Sequence, residues 1–117
     1  MKTIIQNLED LNQLVLQGKP LEAFEKYYHD EVMMQENLNP PTVGKKANLE
    51  REKKFYSDVK EFRSAELKGV GAGENISFSV WKYDYTHNEW GIRDYTQVSV
   101  QHWKDGKIIH EQFFYGN

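Results

Sequence analysis

The stretch Arg93–Tyr115, RDYTQVSVQHWKDGKIIHEQFFY, reads as two strands joined at Lys104-Asp105-Gly106-Lys107. Asp-Gly between alternating runs signals a hairpin, because glycine supplies the positive φ that a tight turn needs. In the first run Tyr95, Gln97, Ser99, Gln101 and Trp103 alternate with Thr96, Val98, Val100 and His102. In the second, Ile109, Glu111, Phe113 and Tyr115 alternate with Ile108, His110, Gln112 and Phe114. Successive strand residues point to opposite faces of a sheet. A carboxylate in line with Phe113 and Tyr115 therefore suits the wall of a pocket better than a plain oily core.

The turn admits two registers. A type I turn at Lys104-Asp105, with Gly106 as a bulge, pairs Trp103 with Lys107 and sets Tyr95, Gln97 and Ser99 on the face of Glu111. A two-residue turn at Asp105-Gly106 sets Thr96, Val98, Val100 and His102 there instead. A slip of one residue exchanges the sets.

The 117 residues suit one domain, spanning residues 1–117, with enough chain to bury a core unaided. There is no cysteine, so neither a disulfide framework nor a thiolate metal site is available. A net charge of -3 with intermixed signs argues against a nucleic-acid partner. The first residues lack the apolar core of a secretory signal, and no run is long enough to span a membrane. The expectation is a cytoplasmic protein without a membrane partner.

Thr3 is placed as an N-cap, followed by Ile4, Ile5, Leu8, Leu11, Leu14 and Val15 at helical spacing up to Gly18. Pro20 opens a second helix with an apolar stripe of Leu21, Phe24, Tyr27 and Tyr28, closed by His29-Asp30-Glu31. Val32–Asn37 reads as a short strand with Val32, Met34 and Glu36 on one face. Two prolines make Asn39–Thr42 a loop. A charged helix then runs from Lys45 to Lys60, its buried edge Phe55, Tyr56, Val59 and Phe62, with Glu50–Lys54 as a solvated face. Strands follow at Arg63–Val70 and Ile76–Thr86, the latter with Ser77, Ser79, Trp81, Tyr83 and Tyr85 on one side. Helices that precede a run of antiparallel strands read as α+β: three helices on a curved antiparallel or mixed sheet, in the order α-α-β-α-β-β-β-β.

This order resembles the nuclear transport factor 2-like superfamily and, within it, the SnoaL-like branch of polyketide cyclases, ketosteroid isomerases and limonene epoxide hydrolase. The resemblance covers essentially the whole chain. It is carried by Tyr28-His29-Asp30-Glu31-Val32, by Gly44-Lys45, and by Trp103-Lys104-Asp105-Gly106-Lys107-Ile108. It implies a cystatin-like cone with a cavity between sheet and helices, and its spacing favours the bulged register. In ketosteroid isomerases a carboxylate on the first strand shuttles the proton, and Glu36 occupies the matching position. Tyr56 matches a supporting tyrosine, whereas the oxyanion positions fall near Leu11 and Ser99. The catalytic aspartate of limonene epoxide hydrolase is replaced by Phe113.

The resemblance implies a ligand site in which Glu36 and Glu111 are the candidate acid and base. Tyr28, Met34, Tyr56, Trp81, Tyr83, Tyr95, Gln97, Ser99, Phe113 and Tyr115 are its candidate ligand-binding residues. The expected ligand is a small apolar or aromatic organic molecule. The expected chemistry is cofactor-independent isomerisation, cyclisation or hydration, and homodimerisation is implied as well. The competing reading is a ligand-binding or interaction domain without catalysis. His29, His87, His102 and His110 show no HxH or HExxH spacing, so no metal site is expected.

Overall fold

The computed structural model describes residues 2–116. The order is α1 (Ile4–Leu16), α2 (Pro20–Tyr27), β1 (Tyr28–Glu36), β2 (Thr42–Val43), α3 (Lys45–Ser57), β3 (Val59–Gly73), β4 (Ile76–His87), β5 (Gly91–Lys104) and β6 (Lys107–Tyr115). These strands form one mixed sheet in the order β2-β1-β6-β5-β4-β3. The expected α+β architecture is present, with the two-residue β2 added where a loop is expected. β1 runs parallel to β6, and the other neighbours are antiparallel.

α1 starts in a capping box. The Gln6 N–H donates to Thr3 Oγ1 at 3.3 Å, and the Thr3 N–H donates to Gln6 Oε1 at 2.9 Å, so two otherwise orphaned donors are satisfied. Leu8 and Leu11 on α1 pack with Ala23, Phe24 and Tyr27 of α2 and with Val32, Trp103 and Ile108 of the sheet.

Several boundaries differ from the sequence reading. α2 ends at Tyr27, and His29-Asp30-Glu31 lie in β1, between its pairings with β6 at Tyr28 and from Met33 onward. α3 stops at Ser57, so Val59 and Phe62 belong to β3. Phe62 is 61% exposed and forms no part of a buried helix edge. The face that α3 turns inward instead carries Asn48, which is fully buried. Its Nδ2 group donates to the carbonyls of Val32, Thr42 and Gly44 at 3.2, 3.0 and 2.8 Å, tying the helix to β1 and β2.

The β5–β6 hairpin combines features of both anticipated registers. Asp105 and Gly106 have φ of 53° and 79°, the double positive φ of a two-residue turn, and Lys104 faces Lys107. Trp103 accordingly pairs with Ile108, not with Lys107. The bulge lies further in: His102 pairs with His110, leaving Ile109 without an opposite residue. That extra residue shifts the ladder by one, so Gln101 faces Glu111, Ser99 faces Phe113 and Gln97 faces Tyr115. The Tyr95, Gln97 and Ser99 face does lie with Glu111, but the bulge is on β6 and not at Gly106.

The far end of β6 is held by Asn37, which adopts φ 50° just after β1. Its N–H donates to the Phe113 carbonyl at 2.8 Å, and its Oδ1 accepts from the Tyr115 N–H at 3.0 Å. Gln112 Nε2 donates to the Asn37 carbonyl at 2.7 Å.

Candidate functional site

Sheet curvature leaves a funnel between the inner strand faces and the helices. Its inner chamber has a volume of about 100 Å³ and opens toward a wider basin of about 1040 Å³, with Glu52, Tyr56, Tyr83, Gln97 and Phe113 common to both. Strand alternation decides which side chains reach it. Odd-numbered residues of β4 and β5 point inward, so Ser77, Ser79, Trp81, Ser99 and Gln101 are buried while their even-numbered neighbours face outward or sit at intermediate depth.

Glu111 stands at the chamber wall, only 4% exposed. Both of its oxygens are engaged: Oε1 accepts from the Tyr28 hydroxyl, and Oε2 accepts from Gln101 Nε2 at 2.9 Å. The chain of donors continues behind it. Ser77 Oγ donates to Gln101 Oε1 at 2.7 Å, and Trp103 Nε1 donates to Ser77 Oγ at 2.8 Å. Every proton in this chain is aimed toward the carboxyl, which fixes the Gln101 amide orientation and the Glu111 rotamer. Burial pushes the Glu111 carboxyl up to about 7, against the lowering effect of its two donors.

Glu52 projects from α3 into the same chamber, one turn beyond Asn48 and one turn before Tyr56. Its carboxyl is also pushed up to about 7, first by burial and then by the neighbouring charge of Glu111. Two interacting acids of this kind titrate as a pair. Tyr56, 41% exposed into the funnel, and the more deeply set Tyr83 complete the polar lining. Burial and the negative charge of the acids raise both phenols, so both hydroxyls stay protonated as donors at neutral pH.

The expected site residues divide between the two compartments. Tyr28, Met34, Trp81, Ser99 and Glu111 line the chamber, and Tyr56, Tyr83, Gln97 and Phe113 line both spaces. Glu36, Tyr95 and Tyr115 line only the basin. Glu36 faces Arg51 at 3.4 Å there, with burial raising its carboxyl and Arg51 opposing the rise. The Tyr95 hydroxyl meets that of Tyr85 at 2.9 Å. The acid beside Glu111 in the chamber is thus Glu52, which lies in the run Glu50–Lys54 expected to be a solvated face. Asn12 also reaches the chamber, its Nδ2 donating to Ser79 Oγ at 3.0 Å. A polar stripe of Asn48, Glu52 and Tyr56 at four-residue spacing is the sequence signal that marks this side of α3.

The SnoaL-like domain family model matches residues 3–115. The chain belongs to the SnoaL-like family. No protein of curated function matches the sequence. Among solved structures, this SnoaL-like domain is similar to a candidate SnoaL-like polyketide cyclase, also termed a carbohydrate phosphatase, from Mesorhizobium loti. The TM-score is 0.89 at 24% identity, over 97% of this chain and 100% of that one. A second candidate SnoaL-like polyketide cyclase, from Jannaschia, gives a TM-score of 0.80 at 11% identity, over 98% and 90% of the two chains. A Xanthomonas campestris protein of unknown function with a cystatin-like fold gives 0.85 at 12% identity, over 99% and 92%. These likenesses speak to the fold alone.

Proposed function

We propose that the chain binds a small organic molecule in the funnel and moves a proton on it without a cofactor, in an isomerisation, cyclisation or hydration. The observation that carries this reading is Glu111. It is a buried carboxyl held in one orientation by Tyr28 and Gln101, with a pKa near 7, where a base is half available and still strong enough to act. Glu111 takes the proton, and Tyr56 and Tyr83 donate to oxygen on the substrate as charge develops there. Glu52 returns a proton from the opposite wall. Glu36 acts at the rim, where its contact with Arg51 orients the entering molecule.

The test uses a generic substrate for carboxylate bases, 5-nitrobenzisoxazole, whose ring opens when one proton is removed. The expected result is a rate that rises with pH through about 7 and is lost in Glu111→Gln. Unchanged turnover in a Glu52→Gln, Glu111→Gln double variant would remove the mechanism.

The engagement of both Glu111 oxygens favours a second reading, in which the funnel holds its ligand without converting it. Saturable binding with no rate above the buffer on any carbonyl compound is the outcome that reading expects. A homodimer formed through the outer sheet face is proposed in either case, and sedimentation at micromolar concentration tests it.

A further inference from the structure

The chamber contains two carboxyls, from Glu52 and Glu111, and among the described residues its lining includes no lysine, arginine or histidine. Glu111 has two neutral donors for partners, Tyr28 and Gln101. Among the described residues, Glu52 accepts no hydrogen bond and forms no ion pair of 4 Å or less. The cations of the basin are occupied elsewhere: Arg51 faces Glu36 at 3.4 Å, Lys54 pairs with Asp58 at 2.9 Å, and Arg93 lies over the Tyr95 ring at 4.9 Å. Beside the acids, Trp81 and Tyr83 stack at 5.6 Å with an interplanar angle of 9°, and both rings contribute to the chamber wall.

We infer that the chamber is built for the ammonium end of an organic amine, with the apolar body of the ligand lying in the basin against Phe55, Tyr56 and Phe113. This rests on reading the funnel as the ligand site, and not on the proton transfer. Carboxylates supply the counter-charge, and aromatic faces attract a cation through their quadrupole while shedding water from its hydrocarbon substituents. A hard metal ion would ask for six or more oxygen ligands in place of indole and phenol faces. The size of the spaces agrees: about 100 Å³ admits a charged head group, and the basin takes a ring. An anionic ligand would add negative charge beside two acids, with no base in the described lining of the chamber to offset it.

Three near-isosteric probes test the charge preference on the unmodified protein by calorimetry and NMR titration: 2-phenylethylamine, 2-phenylethanol and 3-phenylpropanoate. The amine is expected to bind about tenfold tighter than the alcohol, as a desolvated cation–π contact with an ion pair allows. The carboxylate is expected not to bind. Glu52→Gln is expected to abolish the advantage of the amine over the alcohol, which separates the chamber from acidic patches on the surface. Equal affinities for amine and alcohol, measurable binding of the carboxylate, binding of none of the three, or an amine preference that survives Glu52→Gln would each overturn the inference. The 5-nitrobenzisoxazole rate is read separately. A Glu111-dependent rate without amine preference sinks this inference alone, and amine preference without that rate sinks only the proton-transfer reading.

Discussion

Gln101 and Glu111 face each other across the β5–β6 ladder, and the Gln101 amide donates to Glu111 Oε2 at 2.9 Å while its own oxygen accepts from Ser77. One amide therefore links the acid to the buried Ser77 and Trp103 behind it. Replacing it with an isosteric apolar side chain, Gln101→Leu, leaves the Ser77 hydroxyl without its acceptor and Glu111 with one donor fewer. The expected cost is about 1–3 kcal/mol of stability. The Glu111 carboxyl should also rise from about 7, because a lowering contact is gone while burial remains. Carbon-detected NMR titration of the glutamate carboxyls and urea unfolding measure the two effects separately.

Stability should fall as pH rises from about 4.5 to about 7. Glu52 and Glu111 hold their protons more tightly folded than unfolded, so the folded chain carries more protons in that window and loses its advantage as they leave. For Glu111 the gap corresponds to a fall on the order of 3 kcal/mol, complete above pH 7. Glu36, also raised, acts in the same sense, whereas His110, lowered by burial and by His102, acts in the opposite one. Urea midpoints across this range should flatten in Glu52→Gln. A slope unaltered in that variant would count against the chamber acid.

The acids should also report on each other. Removing the Glu111 charge by Glu111→Gln is expected to bring the Glu52 titration downward from about 7, since that charge is one of its two main causes. An unmoved Glu52 titration would show that the two carboxyls do not interact.

Asn48→Ala should cost about 1–3 kcal/mol, because the buried amide that bridges the carbonyls of Val32, Thr42 and Gly44 is lost. The same change should weaken any turnover or binding that depends on Glu52, which lies one turn along the helix that Asn48 anchors. Chemical denaturation and a binding isotherm on the one variant check both.

Asn37→Ala combines the loss of the Tyr115 contact with an alanine at φ 50°, for an expected loss of about 2 kcal/mol. Asn37→Gly removes the contact while relieving the backbone, and should lose about half as much. Faster amide exchange at Tyr115 is expected in both.

The fold was readable because helix caps and strand alternation are local. Thr3, Pro20 and the odd-numbered residues of β4 all sit where spacing places them. The register was harder, since Asp-Gly specifies a turn while the bulge at Ile109 depends on how β6 fits between β1 and β5. Glu52 is hard to see in the sequence for a physical reason. Hydrophobic periodicity marks faces that meet an oily core, and a helix face that meets a polar hollow has charge and amide groups where a core-facing helix has leucine. Glu36 stands out through the resemblance to ketosteroid isomerases, and it lies with Arg51 in the basin.

Because the inward set on β6 hangs on a single unpaired residue, the same strand carries a dormant second lining. Were β6 to slide until Ile109 lay opposite His102, the acid and its two aromatic companions would turn out to water, and His110, Gln112 and Phe114 would take their places. The grip of Asn37 on the strand end opposes that slide. The shortest route to a new chemistry on this scaffold therefore runs through the latch and not through the wall it holds.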